Sequence, residues 1–430
     1  MRFKETEIGT IPEHWEVVKL GEAFDVQQGK QLSSKEDVTG KILKPFLRTS
    51  NVMWNRIDVS NISYMYFSQQ EFKKLKLQDG DILICEGGDV GRTAIWKNEL
   101  EECAYQNHIH RLRPKDKRVV NYFFSYWIEH AIKILKIFFN DANKTTIPNL
   151  SSSRLKAFSI PLPPLEEQKK IAGVLSAVQS AKEKVEEVIK ATRELKKSLM
   201  RHLFTYGPVP LNEIENVKLK ETEIGQIPEH WEVGRFGENG KFQYGYTTTS
   251  TTKRTGIKLL RITDIKDDLT IDWTEVPYAD IEEKVANKYK LSFGNILFAR
   301  IGATTGKACM IKENVPNAIF GSYLIRFISE NNLNPIYAFY FTQTNVYWVV
   351  VNTIKDGKLK KGLSSNELKN FPIPIPPLFE QKMIAEILTA VDEKIQAEEN
   401  KKKALEILFK SLLHNLMTGK IRVNHLNLEV

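Results

Sequence analysis

Two hydrophobic rhythms alternate along this chain. The longer one spaces apolar or small residues by alternating threes and fours, through Ile171, Val174, Val178, Ala181, Val185, Val188, Thr192, Leu195 and Leu199. That spacing predicts a helix with one continuous apolar seam, as in a coiled coil. Ile384, Leu388, Val391, Ile395, Leu405, Phe409, Leu412 and Leu416 keep a similar rhythm, interrupted by Glu398 and Lys402. Each run follows a proline pair, Pro163-Pro164 or Pro376-Pro377, and stops at a glycine, Gly207 or Gly419. About 40 helical residues at ~1.5 Å each make a rod of roughly 60 Å. The shorter rhythm marks strands, at Trp15 to Leu20, Asp81 to Cys85, Thr93 to Trp96 and His108 to Leu112. An amphipathic stretch, Val119 to Phe139, predicts the main helix of this region, with a counterpart over Pro335 to Val351. The predicted class is α+β, short-stranded globular domains alternating with long helices.

The chain also repeats itself. Glu5 to Val17 reads ETEIGTIPEHWEV, and Glu221 to Val233 differs from it only at Thr10/Gln226. Ile160 to Lys169, IPLPPLEEQK, returns as IPIPPLFEQK over Ile373 to Lys382. Between these anchors the match is sparse but in register: Leu47-Arg48 with Leu260-Arg261, Gly80 to Leu83 with Gly294 to Leu297, and Leu150-Ser151-Ser152 with Leu363-Ser364-Ser365. One unit is used twice. Its ends are shared, as if to meet the same thing twice, and its middle has diverged. The predicted layout is globular domains over 1–160 and 221–373, helices over 161–206 and 374–420, a linker over 207–220 and a tail over 421–430. If the two helices pack antiparallel as a coiled coil, the domains lie at opposite ends of a rod, related by a pseudo-two-fold axis. Duplex DNA has matching symmetry, so such a molecule suits two unlike half-sites at a fixed distance.

Composition adjusts this picture only a little. Hydrophobic residues are 42% and charged residues 27%, a folded rather than disordered balance. Sixty-two Lys and Arg against 53 Asp and Glu give a formal charge of +9, a mild lean toward an anionic partner. The three cysteines form no CxxC pair, which argues against a zinc knuckle or disulfide framework and fits a reducing cytoplasm. Glu129, His130, Lys133 and Lys136 interrupt the most apolar stretch, and no apolar signal core follows Met1. A membrane protein is not expected.

The tandem IGxIPxxWE openings and the IPxPPLxEQ starts of the long helices resemble the specificity subunit of type I restriction–modification enzymes, over the full chain. The resemblance implies two target-recognition domains, each reading one part of a split DNA site, and two helices that space them and dock two methyltransferase subunits. It implies a restriction subunit joining through that complex. S-adenosylmethionine, ATP and Mg²⁺ would sit on the partners, none of them on this chain, which would not be catalytic itself. No Asn-Pro-Pro-aromatic methyltransferase motif, helicase set or nuclease motif is found. The nearest thing to a phosphate loop, Gly302 to Ala308, has one residue too few between its glycines, and Ala308 stands where the Mg²⁺-binding hydroxyl is needed. It reads better as a hairpin-like turn.

Candidate DNA contacts come from three matched loop regions rich in the residue types that meet phosphates and base edges. The first holds Gln28 and Lys30, against Thr247, Thr248, Lys253 and Arg254. The second is the Gly turn, presenting Arg92 in one copy and Arg300, Thr304, Thr305 and Lys307 in the other. The third is Lys144 and Thr145, against Lys355, Lys358 and Lys360. Arg48 and Arg261, from the Leu-Arg pair, and His108, His110 and Arg111 complete the set. Any one alone reads as a solvated surface charge; the case is the recurrence of the same chemistry at matched positions. The two alternating histidines have no third ligand nearby in sequence, so no metal site is expected. His14, Trp15, His230 and Trp231 read as packing at the domain–helix junction. The competing class is a coiled-coil adaptor carrying two protein-binding domains, which would leave the basic excess and the paired turns without a use.

Overall fold

A computed structural model describes residues 2–32, 38–87, 89–137, 150–312, 314–330, 332–356 and 362–423. It divides into two compact units, residues 1–187 with 399–430, and residues 188–398. Both long helices therefore contribute one half to each unit.

The two repeated motifs explain each other. In each copy the IGxIP segment closes a small hairpin, Phe3–Thr6 with Gly9–Pro12 and Leu219–Thr222 with Gly225–Pro228. The residues after the tryptophan then form a strand that pairs with the first residues of the second motif, Glu16–Lys19 with Ser159–Leu162 and Glu232–Arg235 with Pro372–Ile375. A two-stranded ribbon tolerates the prolines, because each strand has a free edge. The start and the end of each globular domain are thus fastened together at the point where the long helix leaves.

Within each copy a four-stranded antiparallel sheet carries the core. In the first it comprises β1 (Phe24–Gln28), β2 (Ile82–Cys85), β3 (Thr93–Ile95) and β4 (Ile109–Pro114), in the order β3-β2-β4-β1. Helix α1 (Asn121–Lys133) packs on it through Phe123, Phe124 and Trp127. The 42-residue helix α2 (Leu165–Tyr206) follows. In the second copy β5 (Gly240–Tyr244), β6 (Ile296–Ala299), β7 (Ala308–Met310) and β8 (Leu324–Ser329) repeat the order as β7-β6-β8-β5. A second, smaller sheet recurs too, with Phe46-Leu47 parallel to Ala104-Tyr105 and Leu259-Leu260 parallel to Ile319-Phe320.

One predicted helix is two. Pro335 to Val351 splits into α3 (Pro335–Phe341) and α4 (Asn345–Asp356). The Thr342 and Thr344 hydroxyls donate back to the Phe339 and Phe341 carbonyls, at 2.6 and 2.7 Å, and Thr344 accepts from the Tyr347 amide. Threonine ends one helix and caps the next, which apolar spacing does not reveal.

The long helices, α2 and α5 (Leu378–Met417), run antiparallel inside each unit. In the first, Glu167 meets Arg422 and Glu186 meets Lys402 at 3.0 Å. In the second, Lys196 meets Asp392 at 2.7 Å, and Gly207 lies against Glu380. Of the predicted seam, Ile171, Val185, Ile384 and Leu388 are buried, and Val174, Val178, Leu199, Val391, Ile395, Leu405 and Leu412 are half-buried. Leu195 is not in it: its side chain is 52% exposed, and Val188 is 40% exposed. The second stripe of α2 lies one position on, at Leu175, Lys182, Ile189, Lys196 and Leu203. Leu175, Ile189 and Leu203 are buried. Lys182 sets its ammonium over the Phe409 ring, and Lys196 sets its own over Tyr340. A lysine can lay its stem along an apolar seam, so a polar letter hid the true register.

Candidate nucleic-acid interface

The register of the two sheets places equivalent residues at equivalent strand ends. His110 pairs with both Gln28 and Ile84, and Ile325 pairs with both Tyr244 and Phe298. The last residue of β1, the residue before β4 and the residue after β2 therefore end at one edge of the first sheet; these are Gln28, His108 and Glu86. At the same edge of the second sheet stand Tyr244, Tyr323 and Arg300.

These edges are where two of the three predicted loop regions converge, and in the second copy Leu363 and Ser365 arrive beside them. Gln28 Nε2 donates to Glu86 Oε2 at 3.0 Å and to the Asn107 carbonyl at 2.9 Å. In the second copy the Arg300 guanidinium lies 5.0 Å over the Tyr244 ring. The Ser365 amide donates to the Tyr244 hydroxyl at 3.0 Å, and the Leu363 amide donates to the Arg300 carbonyl at 2.9 Å. Burial opposes ionisation of Tyr244, but the Ser365 hydrogen bond and the Arg300 charge outweigh it and bring the phenol below its ordinary value.

A glycine fixes each edge. Gly29 and Gly245 follow Gln28 and Tyr244, and a Cβ on either would collide with backbone carbonyls, of Tyr105 and Gln106 or of Gly321. The close approach lets the chain cross from the large sheet to the small one, through the bridges Lys30 to Gln106 and Tyr246 to Gly321. Gly245→Ala is expected to cost about 2 kcal/mol in denaturant unfolding, from overpacking against rigid backbone. An exposed neighbour, Thr249→Ala, should cost within about 0.5 kcal/mol. Equal midpoints for the two variants would refute the close-approach account.

The other predicted contacts sort by where the fold puts them. Lys253, Arg254, Thr247 and Thr304 are exposed, and Thr248 and Lys355 are half-buried. Lys144, Thr145, Lys358 and Lys360 lie outside the described residues. His110, Arg111 and Thr305 are inside the protein, which departs from the expectation of surface contacts. Strand β4 lies between β1 and β2 with both faces covered, so alternation gives it no solvent side. Burial pulls the His110 imidazole below its ordinary pKa, although Glu86 lies 3.3 Å away. Arg111 is spent on Asp25 at 2.8 Å and the Lys74 carbonyl, and Thr305 Oγ1 donates to the Gly302 carbonyl.

The Gly turns are hairpin connections, as expected, but neither Arg92 nor Lys307 is held out to solvent. Arg92 donates to the Thr49 carbonyl at 3.0 Å, and Lys307 to the Lys266 carbonyl and Asp267. Lys30 binds the Tyr66 carbonyl and Glu71, Arg48 the Asn61 carbonyl, and Arg261 grips Asp264 through two nitrogens. These cations brace loops. Glu86 and Tyr323 were absent from the sequence-predicted set; the signal for both was their place in the repeat register. Burial pushes Cys85 up to about 11 and Cys103 and Cys309 up to about 12, so none is a ready thiolate at neutral pH. His14 and Trp15 both meet Glu167, at 3.0 and 3.2 Å, and His230 and Trp231 both meet Glu380 at 2.8 Å. The junction reading of these four residues holds. Among the described residues, no helix is long and apolar enough to cross a membrane.

Residues 12–192 and 228–407 each match the type I restriction modification DNA specificity domain. Over 435 residues the chain is 29% identical to the type I restriction enzyme MjaVIII specificity subunit of Methanocaldococcus jannaschii, covering 99% of this chain and 97% of that one. The crystal structure of the S subunit of a type I restriction–modification system from M. genitalium has the same fold, with a TM-score of 0.60 at 15% identity over 94% of this chain and 96% of that one. A chain from a solved type I R-M system gives 0.54 at 16% identity, over 96% and 99%.

Proposed function

This chain belongs to the DNA specificity family of type I restriction–modification systems, with two copies of the family's domain, and from that premise we propose that each copy reads one half of a split, asymmetric DNA site. The chain is a specificity subunit and not the catalyst. Its two long helices set the gap between half-sites and dock two methyltransferase subunits, through which restriction subunits join. S-adenosylmethionine, ATP and Mg²⁺ belong to those partners, and the complex works in the cytoplasm.

The observation that supports this reading is a contrast within the repeat. The junction chemistry is the same twice, tryptophan and histidine on one helix glutamate, whereas the sheet edges carry Gln28, Glu86 and His108 in one copy and Tyr244, Arg300 and Tyr323 in the other. Shared ends suit two equivalent methyltransferase partners, and diverged edges suit two different base sequences.

The test is selection from random-sequence duplex DNA, with the chain co-purified with the methyltransferase subunits encoded beside it. Two unlike motifs at one fixed spacing are expected. A folded complex that selects nothing would overturn the reading. The exposed pair Lys253 and Arg254 gives a second check. If both meet phosphates, K253E/R254E should flatten the log affinity against log salt slope by about 2, roughly 0.9 per lost contact. An unchanged slope would remove this loop from the interface.

A further inference from the structure

At the two sheet edges the Gln28 amide and the Arg300 guanidinium present opposite hydrogen-bonding polarity, and this goes further than a general DNA-reading role. In the first copy both amide hydrogens of Gln28 are spent, one on Glu86 and one on the Asn107 carbonyl. The reverse orientation would press the Gln28 oxygen against two acceptors, so the network fixes which atom is which. The Glu86 side chain is 11% exposed, with one oxygen shared between Gln28 and His110, so Glu86 orients the amide and the exposed Gln28 oxygen is left as an open acceptor, with exposed His108 beside it. Glu86 is also held from its own backbone, whose amide donates to the His108 carbonyl at 2.8 Å.

The second edge is a donor. The Arg300 guanidinium has its face on Tyr244 and makes no hydrogen bond or ion pair with any other described residue. By contrast Arg261, Arg326 and Lys307 are each engaged by carboxylate or carbonyl oxygens. Its backbone is pinned on both sides, the amide donating to the Tyr323 carbonyl at 3.0 Å and the carbonyl accepting from the Leu363 amide at 2.9 Å. A planar fork is held in place with its donors unspent, the arrangement that costs least to order on binding. Tyr244 and Tyr323 flank it, 40% and 56% exposed. Neighbouring strands are ~4.8 Å apart, so three adjacent strand ends span roughly 10 Å, a width that a major groove of about 12 Å accepts.

Resting on the split-site reading above, we infer that these edges are the base-reading heads and that their polarity sets the bases they prefer. The Gln28 oxygen, oriented by Glu86, accepts from the exocyclic amino group of adenine or cytosine in one half-site. Arg300 donates to O6 and N7 of guanine in the other. The oriented amide also acts by repulsion, because guanine O6 and thymine O4 would face the Gln28 oxygen.

Selection from random duplex DNA with the methyltransferase-bound complex tests this when run on wild type, E86Q and R300Q, with R300K as the conservative variant. R300Q should lose guanine preference by roughly ten- to hundredfold at one position of one motif, leaving the other motif and the spacing intact, and R300K should keep part of that preference. E86Q should relax an adenine-or-cytosine position in the other motif alone. Motifs unchanged in both variants would overturn the inference and leave the split-site reading standing. Loss of every position in the mutated half together would also overturn it, since that marks collapse of the domain rather than a lost base contact. Failure of the wild type to return a split motif would instead strike the reading beneath it.

Discussion

Replacing Trp231 by alanine is expected to lower the stability of the second unit by about 3–5 kcal/mol, the usual cost of emptying a large aromatic from a core. Trp231 is fully buried, its indole N–H donates to Glu380 at 2.8 Å, and Gly207 packs against its ring. Three separate pieces of sequence meet on this one side chain: the repeated opening, the start of α5 and the glycine that ends α2. Its loss leaves a cavity and also removes a hydrogen bond from a carboxylate that is 8% exposed. W231F should recover much of the packing and leave about 1–2 kcal/mol missing for the unmade hydrogen bond and the residual cavity. Urea unfolding followed by circular dichroism measures both variants. A loss below about 1 kcal/mol for the alanine variant would mean that this junction does not hold the unit together.

Acid should act on the first unit through His130. The imidazole is almost wholly buried on α1, and its Nε2 lies 3.3 Å from His414 Nδ1 on α5. Burial, and then the neighbouring His414 charge, bring its pKa down from 6.5 to about 4. Lys420 lies beyond, 3.4 Å from His414, while Glu129 on the same helix is turned to Asn55 and Lys133. A histidine held neutral in the fold takes up its proton first in the unfolded chain. Its contribution is therefore complete above about pH 6.5 and is lost as pH falls toward 4, up to roughly 3 kcal/mol. Unfolding midpoints measured from pH 7 to 4.5 should fall more steeply for wild type than for H130L, which has no imidazole to protonate. Parallel profiles would show that His130 carries no such linkage.

Much of the fold is legible in the sequence, and for local reasons. Pro163-Pro164 and Pro376-Pro377 cannot continue a helix backwards, so they fix where α2 and α5 begin. Gly207 and Gly419, at φ of +80° and +65°, fix where they stop. The four strands predicted in the first copy fell within one or two residues of their bounds, since short apolar runs between turn residues have little choice, whereas Phe24–Gln28, Ile42–Leu47 and Ser63–Phe67 were not predicted. The break between α3 and α4 was hidden because it depends on threonine hydroxyls rather than on apolar spacing. The second seam stripe was hidden because Lys182 and Lys196 occupy it.

The candidate site divides along the same line. Repetition pointed to two of the loop regions, and with them Gln28 and Arg300, that the fold sets at the sheet edges. The register also carried Glu86 and Tyr323, which the predicted set omitted, but it could not show that Arg111, His110 and Thr305 face inward. A side chain's direction in a strand is set by which neighbours flank the strand, and β4 takes its neighbours from residues 24–28 and 82–85, far away in sequence.

By itself, then, the sequence determined that one unit is used twice, where its helices begin and end, and which family it belongs to, because these are properties of adjacent residues and of the repeat. Tertiary structure alone decided which cations brace loops and which keep their donors free, and what polarity each sheet edge presents. Those properties arise from pairings between strands distant in the chain, and no local pattern encodes them.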